Sequence, residues 1–152
     1  MLPGNKRIFV VGYHQSPFGK LGAMTLSEMI HDAVLGTAAD ACVPTDAIDV
    51  ASVAGLLTPL LQDQTLLAGL VASVPGMASK PIDCAENACA SGGQAILNVI
   101  HKLLLGGGEV GLAIGVEKMR DDEGKMLLLI HIFEPTALLS TSYAAFCSKK
   151  KN

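Results

Sequence analysis

The run Cys84-Ala85-Glu86-Asn87-Ala88-Cys89-Ala90-Ser91-Gly92-Gly93-Gln94-Ala95 constrains this chain of 152 residues more than any other stretch. To its left, Lys80 to Cys84 reads as the end of a strand, with Pro81 at the entry and Ile82 and Cys84 on one face. To its right, Ile96, Val99, Ile100, Leu103 and Leu104 recur at helical spacing, which predicts a helix from Ala95 to Leu105. Cys89 therefore falls where a strand turns into a helix. A helix start offers unpaired N–H groups and the positive end of the helix dipole. A thiol held there has its thiolate, the nucleophilic form, favoured. Ala88, Ala90, Ser91, Gly92 and Gly93 are all small, so a substrate can come close to the backbone. The turn's geometry suits a buried structural cysteine equally well, because free cysteine is among the most buried residue types.

The rest of the chain supplies a frame for such a turn. Arg7 to Tyr13 is a first strand whose run Ile8-Phe9-Val10-Val11 predicts burial on both faces. Thr25-Leu26-Ser27-Glu28 is a capping box that opens a helix to about Cys42, with a buried stripe at Leu26, Met29, Ile30, Ala33, Val34, Ala38 and Ala41. Asp49 to Leu57 is a second buried strand, and Thr65 to Val74 a short apolar helix ended by Pro75-Gly76. A strand from about Val110 to Val116 follows the helix after Cys89. The order β-α-β-α-β-α-β predicts an α/β fold with a largely parallel sheet, helices on both faces and the nucleophile at a strand-to-helix turn. The helix after Cys89 is apolar round most of its circumference, as expected of one buried between layers.

Composition excludes several classes. Half the residues are hydrophobic and 16% are charged, an apolar balance that suggests two-sided burial or a subunit interface. The net charge is −3, no basic stripe carries interleaved aromatics, and tryptophan is absent, so nucleic acid is not an expected partner. Apolar stretches are broken by Pro59, Asp63, Pro75, Lys102 and Glu109 before a membrane span of ~20 residues is reached. The N-terminus lacks the apolar core of a signal peptide. Cys42, Cys84, Cys89 and Cys147 show no disulfide or zinc spacing, so a reducing, cytoplasmic compartment and no metal are expected.

Other motifs carry less. Gly106-Gly107-Gly108-Glu109-Val110-Gly111 satisfies G-x-G-x-x-G, but it leads from helix to strand and reads as a C-cap cluster. Asp121-Asp122-Glu123 reads as a solvated charge cluster, and Cys84 as a core residue rather than a resolving thiol. His14 is expected in a loop, His31 in the first helix, His101 in the helix after Cys89 and His131 in the tail. His101 is about 18 Å along the helix from Cys89, too far for proton transfer.

Four segments in order resemble the thiolase superfamily. Asn87-Ala88-Cys89-Ala90-Ser91-Gly92 is similar to its nucleophile motif, and Ser16-Pro17-Phe18-Gly19 to its Thr-Pro-Phe-Gly loop. Gly106 to Gly115 is similar to its helix-to-strand passage. Gly115-Val116-Glu117-Lys118-Met119 resembles its Gly-Gly-Val-Glu-Ser-Met segment, in the form typical of acetyl-CoA acetyltransferases and sterol-carrier-protein-type thiolases. The likeness runs over about residues 6 to 125, giving a thiolase-like N-terminal domain at 1–125 that is expected to be incomplete.

The resemblance implies an acyl-CoA acyltransferase in which Cys89 takes the acyl group from a coenzyme A thioester substrate, with no permanently bound cofactor. A second thioester is then condensed onto it, or thiolysis runs in reverse. It implies two stacked halves with the nucleophile helix in the central layer, and a homo-oligomer or a complementary C-terminal half as partner. The family's Gly-His-Pro histidine and second reactive cysteine lie in that C-terminal half and have no counterpart here, so the chain alone is expected to be inactive. A ketoacyl-synthase-like condensing enzyme is the alternative, disfavoured by Glu117-Lys118-Met119; a non-catalytic half that assembles with a partner chain is another. Residues 126–152 match nothing in the family and have the look of translated adapter sequence. Within them Met126 to Ile132 has strand character and Ala137 onward is weakly patterned.

Overall fold

The computed structural model describes residues 7–19, 21–119 and 141–150. Strand β1 spans Arg7–Gln15, β2 Val50–Ala54, β3 Ile82–Ala85, β4 Val110–Glu117 and β5 Thr141–Lys150. The helices are α1 (Leu26–Ala41), α2 (Thr58–Leu61), α3 (Leu67–Ala72) and α4 (Ser91–Leu104). Among the described residues the sheet has the order β1-β5-β4-β2-β3. β2 pairs in parallel with β3 and β4, whereas β5 runs antiparallel to both β1 and β4. The expected α/β architecture with a largely parallel sheet is therefore present.

The period of two along the strands divides the core into two layers. Ala51 and Val53 of β2, with Leu112, Ile114 and Val116 of β4, meet Leu26, Met29, Ile30, Ala33 and Val34 of α1 and Leu67 and Val71 of α3. On the other face, Val50, Ala54 and Ala113 meet Ala95, Val99 and Leu103 of α4. That second face carries small residues, and α4 lies close against it. A β-carbon built on Gly111 would stand 2.5 Å from Cγ1 of Val99, so only glycine admits the helix at this distance.

Local signals hold where expected. Thr25 caps α1 with its side chain accepting from the Glu28 N–H, and the Thr25 N–H donates to the Glu28 carboxylate at 2.7 Å. These Thr25 donors hold the Glu28 carboxyl below the usual glutamate range. At the far end of α4, Gly106 takes φ 94°, and its N–H donates to the Leu103 carbonyl while that of Gly107 reaches Lys102. This pair of bonds is the glycine C-cap expected of the triple-glycine run.

Several expectations are corrected. β1 is not buried on both faces: it is an edge strand, with Val10 65% and Val11 43% exposed, and α4 lies over β2 and β4 rather than over it. His14 lies in β1, not in a loop, and its ring pairs with Asp32 of α1 at 3.0 Å. β2 ends at Ala54, and the chain beyond it forms α2, with Pro59 in its first turn. α4 starts at Ser91, four residues before the expected start at Ala95. Its outer side is uncovered, with Leu97 exposed, because among the described residues no second layer packs on it. Thr141–Lys150 is a central strand despite its weak pattern. The expected strand from Met126 to Ile132, the Asp121-Asp122-Glu123 cluster and His131 lie outside the described residues.

Substituting Gly111→Ala is expected to lower unfolding free energy by about 1–3 kcal/mol, because Val99 is stiff at χ1 and cannot yield. A urea titration showing an unchanged midpoint would remove the claim that α4 is seated on this glycine.

Candidate active site

Parallel strands leave their carboxyl ends along one rim of a sheet, and ligand crevices form there where successive connections leave on opposite sides. In this fold β2 continues into α2 and α3 on one face, while the neighbouring β3 continues into α4 on the other. The rim at this divergence holds a cleft of about 260 Å³. Ala54 to Leu57 from the end of β2, Ala88, Cys89, Ser91 and Gly92 from the turn after β3, and Gly115 to Glu117 with Met119 from the end of β4 line it.

The turn is built by its own small residues. Ala88 adopts φ 46°, a left-handed conformation that costs a non-glycine residue of order 1–2 kcal/mol. Ser91 offsets this: its Oγ accepts from the Asn87 N–H at 2.8 Å and donates to the Ala88 carbonyl at 2.7 Å. The Glu86 carboxylate accepts from the Ala88 N–H at 2.7 Å. The first i→i−4 bond of α4 runs from the Gln94 N–H to the Ala90 carbonyl at 2.9 Å. The amides of Gly92 and Gly93 precede that ladder and are donors of the kind a helix start leaves unused. Cys89 is exposed, with its thiol free.

Facing it, Glu117 was not singled out by itself from the sequence, although it stands in the quoted Gly-Val-Glu-Lys-Met segment. Its carboxylate accepts from the Leu56 N–H at 2.8 Å and the Leu57 N–H at 3.1 Å, so it holds the chain that leaves β2 as one wall of the cleft. Burial pushes the Glu117 carboxyl above the usual glutamate range, against the two backbone donors that favour its charge. The next residue, Lys118, is buried and donates to the carbonyls of Met24 at 2.9 Å and Gly22 at 3.3 Å. One dipeptide at the end of β4 thus fastens two loops.

Among the described residues, none of the other sequence candidates shares the cleft. His31 meets Ser73 at 3.1 Å and His101 is exposed near the end of α4. Cys84 is exposed rather than in the core, since β3 is an edge strand; it lines a separate cavity of about 170 Å³ with Thr58, Thr65, Leu67 and Glu86. Among the described residues no group of three or more metal-ligating side chains occurs, and no helix is long and apolar enough to cross a membrane.

Residues 8–131 match the family described as Thiolase, N-terminal domain. This chain is a member of that family. An acetyl-CoA acetyltransferase of Methanothermobacter thermautotrophicus is 31% identical over 135 residues, which is 89% of this chain and 33% of the relative. The chain thus spans about a third of the length of the curated relatives it matches. Human mitochondrial 3-ketoacyl-CoA thiolase, solved in complex with CoA, superposes with a TM-score of 0.71 over 94% of this chain and 64% of that one, at 14% identity. The 3-oxoacyl-[acyl-carrier-protein] synthase III of Aquifex aeolicus gives 0.63 over 85% and 40%, at 17% identity. These two likenesses show a shared fold. In this thiolase-family domain the Asn87–Gly92 motif is the turn that brings Cys89 to the cleft, and the Gly115–Met119 segment is its opposite wall.

Glu117 has a pH signature. With its folded value raised, the native state holds a proton that the unfolded chain has released, so this group's contribution falls as pH climbs from the ordinary glutamate value through the raised one. Glu117→Gln is expected to destabilise by about 1–2 kcal/mol at acidic pH by weakening the grip on Leu56 and Leu57. The deficit against the parent should narrow as pH rises through that window. A deficit that widens with pH in urea titrations would show that burial does not dominate this carboxyl.

Proposed function

We propose that this chain is the nucleophile-bearing part of an acyl-CoA acyltransferase of thiolase type, with Cys89 as the acyl acceptor. The observation that carries the reading is the free, exposed thiol of Cys89 at the edge of a cleft formed by strand ends, beside the first turn of α4. The curated relatives bear the name acetyl-CoA acetyltransferase, which supports acetyl-CoA or a short acyl-CoA as the donor and a role in lipid metabolism. The Cys89 thiolate attacks the thioester carbonyl carbon, the carbonyl oxygen gathers charge, and collapse expels the coenzyme A thiolate, leaving an acyl-cysteine. The amides of Gly92 and Gly93 are the nearby donors suited to that oxyanion. The cleft is small and lined mainly by apolar atoms and backbone, which suits a short acyl group.

Condensation or thiolysis needs a base for the second half-reaction. Among the described residues no histidine or second cysteine shares the cleft, so a complementary half is proposed to bring them. The exposed Leu97 on α4 and Leu105 at its C-cap support such a layer, and the edge position of β3 among the described residues supports a homo-oligomer. Exposed free thiols at Cys42, Cys84 and Cys89 support a reducing compartment such as the cytoplasm. A condensing enzyme of the ketoacyl-synthase kind shares the fold, and the curated relatives do not favour it.

Treatment with substoichiometric iodoacetamide near neutral pH is expected to label Cys89 ahead of Cys42 and Cys84. Incubation with acetyl-CoA should add one acetyl group at Cys89, and none in Cys89→Ala, while condensation product stays absent. Equal labelling of the three thiols and no acetylation would defeat the assignment. Turnover by the chain alone would instead show that the second half-reaction needs nothing further.

A further inference from the structure

The two arms of the turn that carries Cys89 are β3 and α4, and one set of polar side chains ties them together. Asp83 of β3 accepts from Lys102 Nζ at 2.5 Å through Oδ1 and from Asn98 Nδ2 at 2.9 Å through Oδ2. Lys102 also donates to the Ala51 carbonyl at 2.9 Å, and Asn98 reaches Ser52 Oγ at 3.4 Å. Gln94 Nε2 donates to Asn98 Oδ1 at 2.8 Å. Gln94, Asn98 and Lys102 stand one turn apart on a single face of α4. Gln94 is also the residue whose N–H makes the first bond of the helical ladder, to Ala90 beside Cys89.

We propose that Asp83, Asn98 and Lys102 act as positioning residues, a clasp between the two arms of the turn that fixes where Cys89 stands in the cleft. The inference rests on the reading of Cys89 as the acyl acceptor. The apolar contact of Ala95, Val99 and Leu103 with the sheet holds α4 down, but burial is non-directional and does not specify its position along its own axis. Hydrogen bonds of fixed length and angle do. Stability is a weak reason for the cluster, since the Asp83 and Lys102 side chains are 38% and 29% exposed, where an ion pair contributes little. The geometric consequence is larger, because Ala85 leads straight into the turn from Asp83 and Gln94 leads straight out of it.

The test uses the whole chain, with Cys42 at the end of α1 as an internal reference for iodoacetamide and with amide hydrogen exchange read at Gln94 and Ala95, the first amides of the helical ladder. Lys102→Met is expected to leave the urea midpoint nearly unchanged, and Asn98→Leu to lower it modestly, since Ser52 is buried and loses a partner. Each should lower the Cys89-to-Cys42 alkylation ratio about fivefold and speed exchange in that first turn by a similar factor, the size of one lost hydrogen bond. Lys102→Arg, which keeps the cation on Asp83, should stay within about twofold of the parent. If Asn98→Leu does not fold, the isosteric Asp83→Asn carries the same readouts. Unchanged alkylation ratio and exchange in folded variants overturn the clasp. A parent in which Cys89 is not the preferred target sinks the acyl-acceptor reading; exchange, which needs no thiol chemistry, then decides the clasp.

Discussion

The close seating of α4 on the small-residue face of the sheet is the constraint on which the rest depends. Gly111 lies directly beneath Val99, with Ala113 and Ala54 beside it, and the helix approaches at a distance that any β-carbon at position 111 would forbid. A helix that close brings its own N-terminus down to the ends of β2 and β4. The cleft follows from that approach: its walls are strand ends, and its lip is the first turn of α4. Cys89 reaches the cleft because α4 is pressed onto the sheet. The left-handed Ala88 and the Ser91 hydroxyl let the chain make the bend without a glycine at that point.

The opposite wall is assembled by a different means. Glu117 ends β4 and Lys118 follows it directly, and each finds backbone groups to bind. Glu117 collects two N–H donors from the chain leaving β2, and Lys118 two carbonyls from the chain entering α1. Two irregular segments, which on their own would pay conformational entropy for nothing, are thereby fixed to a buried strand. A partly buried carboxylate held by backbone amides is costly, and its raised proton affinity records that cost. Its return is a defined wall opposite the thiol.

Much of this was legible from residue order. The capping box at Thr25 and Glu28, the glycine C-cap after Leu105, the buried stripe of α1 and the turn at Cys89 all rest on neighbours within a few positions, and each was found where expected. The family motifs around Cys89 and Glu117 were legible for the same reason. What failed depended on partners distant in sequence. The run Ile8-Phe9-Val10-Val11 reads as buried on both sides, yet β1 lies at an edge, and Cys84 reads as core on a strand that proves to be the other edge. Thr141–Lys150 has no clear alternation, and its place between β1 and β4 is defined only by the register of its two neighbours.

The sequence by itself determined α1, α3 and the body of α4, the caps at Thr25 and Gly106, the strand-to-helix position of Cys89 and membership of a family, because short-range hydrogen bonding and periodicity are written in adjacent residues. Tertiary structure alone decided the strand order, which face α4 covers, that Glu117 stands across the cleft from Cys89, and that Asp83 ties β3 to α4. The bond from Asn98 to Asp83 joins residues 15 positions apart, that from Leu56 to Glu117 joins residues 61 apart, and the pairing of β1 with β5 reaches from Arg7 to Lys150. No local pattern encodes which distant strands pair; that is settled by how apolar faces can be buried together once the elements exist.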